Sequence, residues 1–265
     1  MKDKTAAGVT YRASELLRSR HGFSTRLGGV SEGIWQGLNL GVRTADRRDC
    51  VEENWRRFYA ALDIDAPRRM HGLQVHGAAV KLVEPGEGFG LFEERPLTGY
   101  DAFVTNVPGI PLVVYTADCV PVLLEDFEAG IVAAVHGGWR GTAADIFARA
   151  VESMCSLGAS PRRICAAVGP CIGPECFQTG PEVVSAFSAL LSGRTEGLYR
   201  RDEAAAEERY LTDLPGVVMR RLQQLGLLRE HIDGPDECTM CHPGKYWSHR
   251  RLGTARGSQA SLIML

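Results

Sequence analysis

The stretch from residue 115 to 141, YTADCVPVLLEDFEAGIVAAVHGGWRG, constrains the fold more than any other part of the chain. Positions 111–115, 120–125 and 131–135 are apolar except for Glu125, and 128–130 reads as a turn. Continuous apolar runs this short, bounded by turn residues, predict strands covered on both faces. A thiol, Cys119, follows the first run, and an imidazole, His136, follows the third. Strand ends of this kind can bring the two groups face to face across a cleft. Two donors do not complete a metal site, so a third is needed. The best candidate is His76, in Gln74-Val75-His76-Gly77.

The flanking sequence supplies helices and further strands. Residues 49–62 predict an amphipathic helix capped by Asp49, with Val51, Trp55, Phe58, Tyr59 and Leu62 on one stripe. Residues 74–83 have strand character around His76. Residues 84–100, with four glycines and two prolines, predict a long surface loop able to cover a site. A strand resumes over 101–107. Thr142 to Asp145 reads as a capping box for a helix that buries Ile146, Phe147, Ala150, Val151 and Met154 and stops at Gly158. A strand is expected over 163–168. Two more helices follow, one with Pro181 in its first turn, the other capped by Asp213 and ended by Gly226. Residues 194–209 read as a charged, solvated, mobile connection. Strands and helices do not alternate regularly, which predicts an α+β class: mixed sheets packed in layers with flanking helices, in a single domain.

A formal net charge of −2 gives no reason to expect a nucleic-acid or membrane-surface partner. No apolar run approaches a membrane span, and the first residues lack the apolar core of a signal peptide. The expected compartment is therefore the cytoplasm, where eight cysteines are free thiols or metal ligands rather than disulfides. Cys50, Cys155 and Cys165 sit in apolar or helical patterns and are expected to be inert. Cys238-Thr239-Met240-Cys241-His242 matches the haem-attachment pattern, but that attachment requires export, which nothing in the sequence supports. Cys171, Cys176, Cys238 and Cys241 could form a second, structural zinc site, although the 171–176 spacing is wider than the common knuckle.

Six blocks, in order, carry a family resemblance: FSTRLGGVSEG with LNLG, QVHG, TADC, VHGGWRG, GPCIGPECF, and a terminal CT with YWSHRR and TARGSQASLI. From about His21 to the C-terminus the chain resembles the YfiH/YlmD family, also called the multicopper polyphenol oxidase or laccase-domain family. Residues 1–20 read as an N-terminal extension. The resemblance implies a YfiH-like cysteine hydrolase fold and a zinc site on His76, Cys119 and His136. It also implies phosphorolysis of adenosine, inosine and methylthioadenosine, with deamination of adenosine. Partners would then be purine nucleosides and phosphate, and the protein a monomer or weak homo-oligomer. Arg26, in a glycine-rich loop, is the expected phosphate clamp, with a structural ion pair as the plainer reading. Asn39 and Asp118 would hold base or ribose; Asn39 could instead simply close a turn, and Asp118 could be an acid or base, or orient a ligand histidine. Arg140, Arg250 and Arg251 are further anion-binding candidates.

Two histidines and a cysteine also suit copper. Met70, Met154, Met219 and Met240 fall outside the ligand blocks, however, and seven histidines are few for a multicopper centre. Zinc is accordingly favoured. Two rival functions remain: a copper oxidase of phenols, and a cysteine hydrolase in cell-wall precursor quality control with Cys119 as nucleophile. Three positions depart from the family pattern: Gly137 replaces alanine, Gln178 a carboxylate and His249 a tyrosine. These bear on substrate preference rather than on the metal ligands.

Overall fold

The computed structural model describes residues 1–92 and 97–265. The chain begins with β1 (Lys2–Ala6), β2 (Val9–Ala13) and β3 (Arg20–Ser24), followed by α1 (Arg48–Ala61). Next come β4 (Gly72–Leu73), β5 (Val80–Leu82), β6 (Leu97–Thr98), β7 (Ala102–Thr105), β8 (Leu112–Thr116), β9 (Val120–Asp126) and β10 (Ile131–Gly137). Then follow α2 (Trp139–Ala143), α3 (Ile146–Ser156), β11 (Cys165–Val168), β12 (Gln178–Thr179) and α4 (Pro181–Leu190). The chain closes with β13 (Tyr199–Arg201), β14 (Tyr210–Thr212), α5 (Leu214–Gln224), β15 (Ile232–Asp233), α6 (His249–Leu252) and β16 (Gln259–Met264).

Two sheets dominate. One has the order β1-β2-β3-β16-β8, the other β15-β11-β9-β10-β7-β5. Period-two alternation assigns each strand residue to one face. In β9, Val120, Val122 and Leu124 face the core shared with α3, α4 and α5, while Leu123 faces the other sheet. In β10, Ile131, Ala133 and Val135 point to the helices, and Val132 and Ala134 to the sheet. In β16, Leu262 faces α1 and Ile263 faces the neighbouring sheet. The result is a layered mixed α+β domain: α1, sheet, sheet, then α3 to α5. Every residue of β9 and β10 is buried, which explains their apolar runs over 120–124 and 131–135. The central pairs of this sheet are antiparallel, and parallel pairing appears only where β5 and β15 join. No described helix is long and apolar enough to cross a membrane.

Several expectations from sequence need correction. Residues 1–20, read as an N-terminal extension, contribute β1 and β2 to the five-stranded sheet. Asp49 does not cap α1; it lies in the first turn and pairs with Arg47. Thr142 to Asp145 is no capping box. Thr142 lies in α2, and Asp145 makes no cap bond because both of its carboxylate oxygens accept from Arg221. Residues 74–79 are not strand, and β5 begins only at Val80. The stretch 194–209 is no loose connection: Leu198 is buried, and Tyr199–Arg201 pairs with β14. The anticipated covering loop over 84–100 falls partly, at 93–96, outside the described residues. Asp213 does cap α5, accepting from the Gly216 amide at 2.9 Å.

Asp126, at the end of β9 and fully buried, ties the β9–β10 turn to the loop after α3. It accepts from the amides of Ala129 (3.1 Å) and Ser160 (2.8 Å) and pairs with Arg163 at 2.9 Å. Burial opposes ionisation, but Arg163 and the two amides prevail, holding the carboxyl below its ordinary pKa. A depressed folded pKa means that the stabilisation is present above the unfolded value, about 3.9, and is lost as pH falls below it. Asp126→Asn should therefore cost about 1–3 kcal/mol at neutral pH. Chemical denaturation across pH should show the gap to wild type narrowing in acid.

Candidate metal centre

Three chain segments converge where β8 and β10 end and β9 begins. The β8–β9 connection delivers Cys119, the end of β10 delivers His136, and the turn after β4 delivers His76. Their donor atoms all lie within 4.8 Å of one another. His76 Nε2 is 3.7 Å from Cys119 Sγ, and the two imidazole rings stand 4.9 Å apart at 75°. Ligands at zinc–sulfur and zinc–nitrogen bond lengths around a tetrahedral ion would lie about 3.6 Å apart. The donor set and spacing thus fit zinc. None of the described cleft-lining residues is a methionine, so no weak axial ligand of the blue-copper kind is present among them.

Asp101, which sequence reading passed over, builds the centre. It is fully buried at the head of β7. Its carboxylate accepts from the amides of Val75 (3.0 Å), His76 (2.9 Å) and Gly77 (3.0 Å). It also accepts from His136 Nδ1 at 2.7 Å, which leaves His136 Nε2 free to ligate. Gathering three successive amides onto one carboxylate bends residues 75–77 into a turn, and His76 takes φ = 59° there. The only sequence signal for Asp101 was a single carboxylate opening an apolar run.

Burial alone would lower the basicity of His136, but Cys119 and Asp101 overcome it and raise its pKa to about 9. Burial alone would raise the Cys119 thiol, but His136 and His76 bring it down to about 6. Both shifts favour the thiolate–imidazolium form of the pair. Sterics tighten the arrangement further. A Cβ at Gly138 would lie 2.5 Å from His76 Cδ2, so only glycine lets the β10 end approach the histidine. A Cβ at Gly137 would meet Phe147 Cζ at 2.8 Å, so glycine in place of the family's alanine suits the phenyl ring beneath it.

Asp118 lines the cleft, but its carboxylate is occupied. It accepts from Thr239 Oγ1 (2.6 Å), Ser248 Oγ (3.0 Å) and the Arg250 amide (2.6 Å). Its φ of 89° is a strained conformation for a residue with a Cβ, and these bonds hold it while it aims Cys119. Asp101, not Asp118, orients the ligand histidine. Asn39 is fully buried and does not reach the cleft. Its amide donates to Thr44 and Asp46, and its carbonyl accepts from the amides of Gly41 and Ser258. Arg26 is likewise absent from the cleft. It donates to the carbonyls of Pro243 and Gln36 and stacks on Trp247 at 3.8 Å. Both residues brace the fold.

The cleft above the centre is about 1090 Å³. Its wall carries the aromatics Trp35, Phe92, Tyr115, Trp139 and Phe177 and the arginines Arg43, Arg48, Arg140, Arg250 and Arg256. Arg250 is spent on the carbonyls of Cys176 and Gln178, and Arg251 on that of Met240. Arg256, in the terminal TARGSQ block, was not singled out from sequence. It lines the cleft, and one guanidinium nitrogen donates to the Gly257 carbonyl (2.9 Å) and Ser258 Oγ (3.2 Å). His249, the family's tyrosine position, accepts from Arg256 Nε at 3.4 Å.

Known proteins resemble the chain over nearly its whole length. A family model described as multi-copper polyphenol oxidoreductase laccase matches residues 20–265. Purine nucleoside phosphorylase YfiH of Escherichia coli K12 is 37% identical, covering 91% of this chain and 92% of its own length. Adenosine deaminase RL5, from an unknown prokaryotic organism, is 35% identical over 89% and 90% respectively. The crystal structure of YlmD from Geobacillus stearothermophilus superposes with a TM-score of 0.90 at 29% identity, covering 98% of this chain and 97% of that one.

Proposed function

The chain belongs to the multi-copper polyphenol oxidoreductase laccase family, the family of YfiH and YlmD, and on that premise we propose that it is a zinc-dependent purine nucleoside enzyme. Its reactions would be phosphorolysis of adenosine, inosine and methylthioadenosine to base and pentose 1-phosphate, and deamination of adenosine. The observation that carries this reading is the His76, Cys119 and His136 triad, steadied by Asp101, under a cleft of about 1090 Å³. That volume suits a nucleoside with a phosphate beside it. The relatives named for phosphorolysis and deamination support the substrate class.

His76, Cys119 and His136 would hold the ion, and a bound zinc supplies a Lewis acid at the cleft floor. The rest falls to the chain itself. Asp101 fixes the His136 tautomer. Asp118, through Thr239, Ser248 and the Arg250 amide, sets the direction of Cys119. Arg256 and Arg140 take the phosphate-binding role that sequence reading gave to Arg26, because they line the cleft and Arg26 does not. Trp139 and Phe177 offer flat apolar surface for a purine. Cytoplasmic residence is supported by eight cysteines that are all unpaired.

Zinc has no accessible redox change, so the reaction should run without oxygen. Adenosine would be incubated anaerobically with the zinc-loaded protein, with and without phosphate, and the products separated by chromatography. Adenine and ribose 1-phosphate should require phosphate, whereas the deaminated nucleoside should form without it. Robust phenol oxidation by the protein as isolated, with no base released, would instead favour a copper oxidase.

One observation keeps a second reading in view. Asp101, His136 and Cys119 are also ordered as a carboxylate, imidazole and thiol suited to nucleophilic catalysis. Chelation separates the two: hydrolysis of an amide or ester substrate that survives complete metal removal and leaves that substrate's acyl group on Cys119 would support the hydrolase.

A further inference from the structure

A second group of thiols lies outside the centre. Cys176, Cys238 and Cys241 place their three sulfurs within 4.8 Å of one another. Cys171, grouped with them on sequence grounds, is not a member. It is buried, meets Cys238 through a backbone β-bridge, and does not join the three mutually close sulfurs. Cys238 and Cys241 bracket a tight turn, the C-x-x-C spacing of structural zinc sites. Cys176 arrives from the opposite loop, with its Sγ 3.3 Å from that of Cys241. The Gly173 amide donates to Cys238 Sγ at 3.1 Å, and the Met240 and Cys241 amides face the same sulfur. Amide donors converging on one sulfur stabilise a thiolate, the form that binds metal.

We propose that Cys176, Cys238 and Cys241 form a second, structural zinc site that clamps the 171–177 loop to the 238–242 turn. Three thiolates supply the ion's protein ligands, and the protons they lose pass to solvent. The fourth position lies on the side of Cys241, which is exposed. His242 follows directly, but it is not within 4.8 Å of all three sulfurs, so water or a small solute completes the set. A disulfide would use two of these sulfurs and leave the third, Cys238, with its amide donors unexplained.

The clamp bears on the cleft. Thr239, inside the C-x-x-C turn, donates to the Asp118 carboxylate. Arg250 donates through its side chain to the Cys176 carbonyl and through its amide to Asp118. An ion fixing the two loops therefore braces the strained residue that aims Cys119, without touching substrate.

The test uses protein purified under argon with reductant. Zinc loading of the otherwise unaltered chain should protect Cys176 and Cys241 from alkylation by at least about tenfold, read by peptide mass mapping, and chelation should abolish that protection. Cys119→Ala, which breaks the cleft triad, should still retain about one zinc per chain. Adding Cys238→Ser and Cys241→Ser to it should release that zinc. Equal alkylation with and without zinc would overturn the proposal, as would a Cys176–Cys241 disulfide in the air-free protein. Because the alkylation arm needs no substitution, misfolding of a variant does not shelter the idea. It also reads these cysteines directly, so its outcome is independent of whether the cleft acts on nucleosides.

Discussion

Cys119→Ser, His76→Ala and His136→Ala should each lose the cleft zinc and at least about 10³-fold of nucleoside turnover while keeping the fold. A two-ligand remnant binds the ion too weakly to hold it at working concentrations, and the Lewis acid leaves with it. The fold should survive because none of the three is a load point in the core. His76 is exposed on a turn, and Cys119 is half-buried at a strand end. His136 is buried, but its backbone amide still donates to the Asp101 carbonyl at 2.8 Å whatever the side chain. If the Cys176 group holds zinc of its own, the change to look for is the loss of about one equivalent per chain rather than of all metal. Elemental analysis beside circular dichroism makes the measurement. Unchanged total zinc in all three variants would remove the triad as the metal site.

The ligands were legible because each is a polar interruption at the edge of an apolar run inside a distinctive block. Cys119 and His136 mark the places where buried strands β8 to β10 border the cleft, and sequence patterning reports that transition well. The layers were legible for the same reason: a residue such as Leu123, flanked by Val122 and Leu124 with no polar alternation, must be covered on both sides. What escaped was the use made of individual polar side chains. Arg26 and Asn39 sit in a glycine-rich loop that resembles a binding loop, yet backbone carbonyls and Trp247 absorb the guanidinium, and four partners absorb the amide. A buried polar group must be satisfied wherever it lies, and sequence does not say whether chain or ligand satisfies it. The run around His76 looked like strand because Val75 and Val80 suit one, but Asp101, 25 residues after His76, collects its amides into a turn. Long-range capture of this kind has no local signature.

Asp101→Asn tests that capture. The carboxylate accepts four hydrogen bonds, and its isosteric amide cannot reproduce them. One Asp101 oxygen accepts from the Val75 and Gly77 amides, the other from the His76 amide and His136 Nδ1. In the variant the NH₂ must face one of these donor pairs. Turned toward residues 75 and 77, it opposes two N–H groups and loosens the turn that carries His76. Turned toward His136, it donates to Nδ1 and moves the ring proton to Nε2, where it blocks ligation. Either way zinc affinity should fall about 10- to 100-fold, as when a buried partner of a ligand histidine is removed. The metal-free protein should also lose about 2–4 kcal/mol, because buried donors are left unpaired. Competition against a chelator gives the affinity, and urea unfolding of the metal-free form gives the stability. A merely structural carboxylate would move only the second quantity. Wild-type zinc affinity in a variant that has lost stability would therefore show that Asp101 holds the turn but does not set the His136 tautomer. Asp101→Glu should not rescue, since the longer side chain cannot keep its oxygens between residues 75–77 and His136 in a fully buried site.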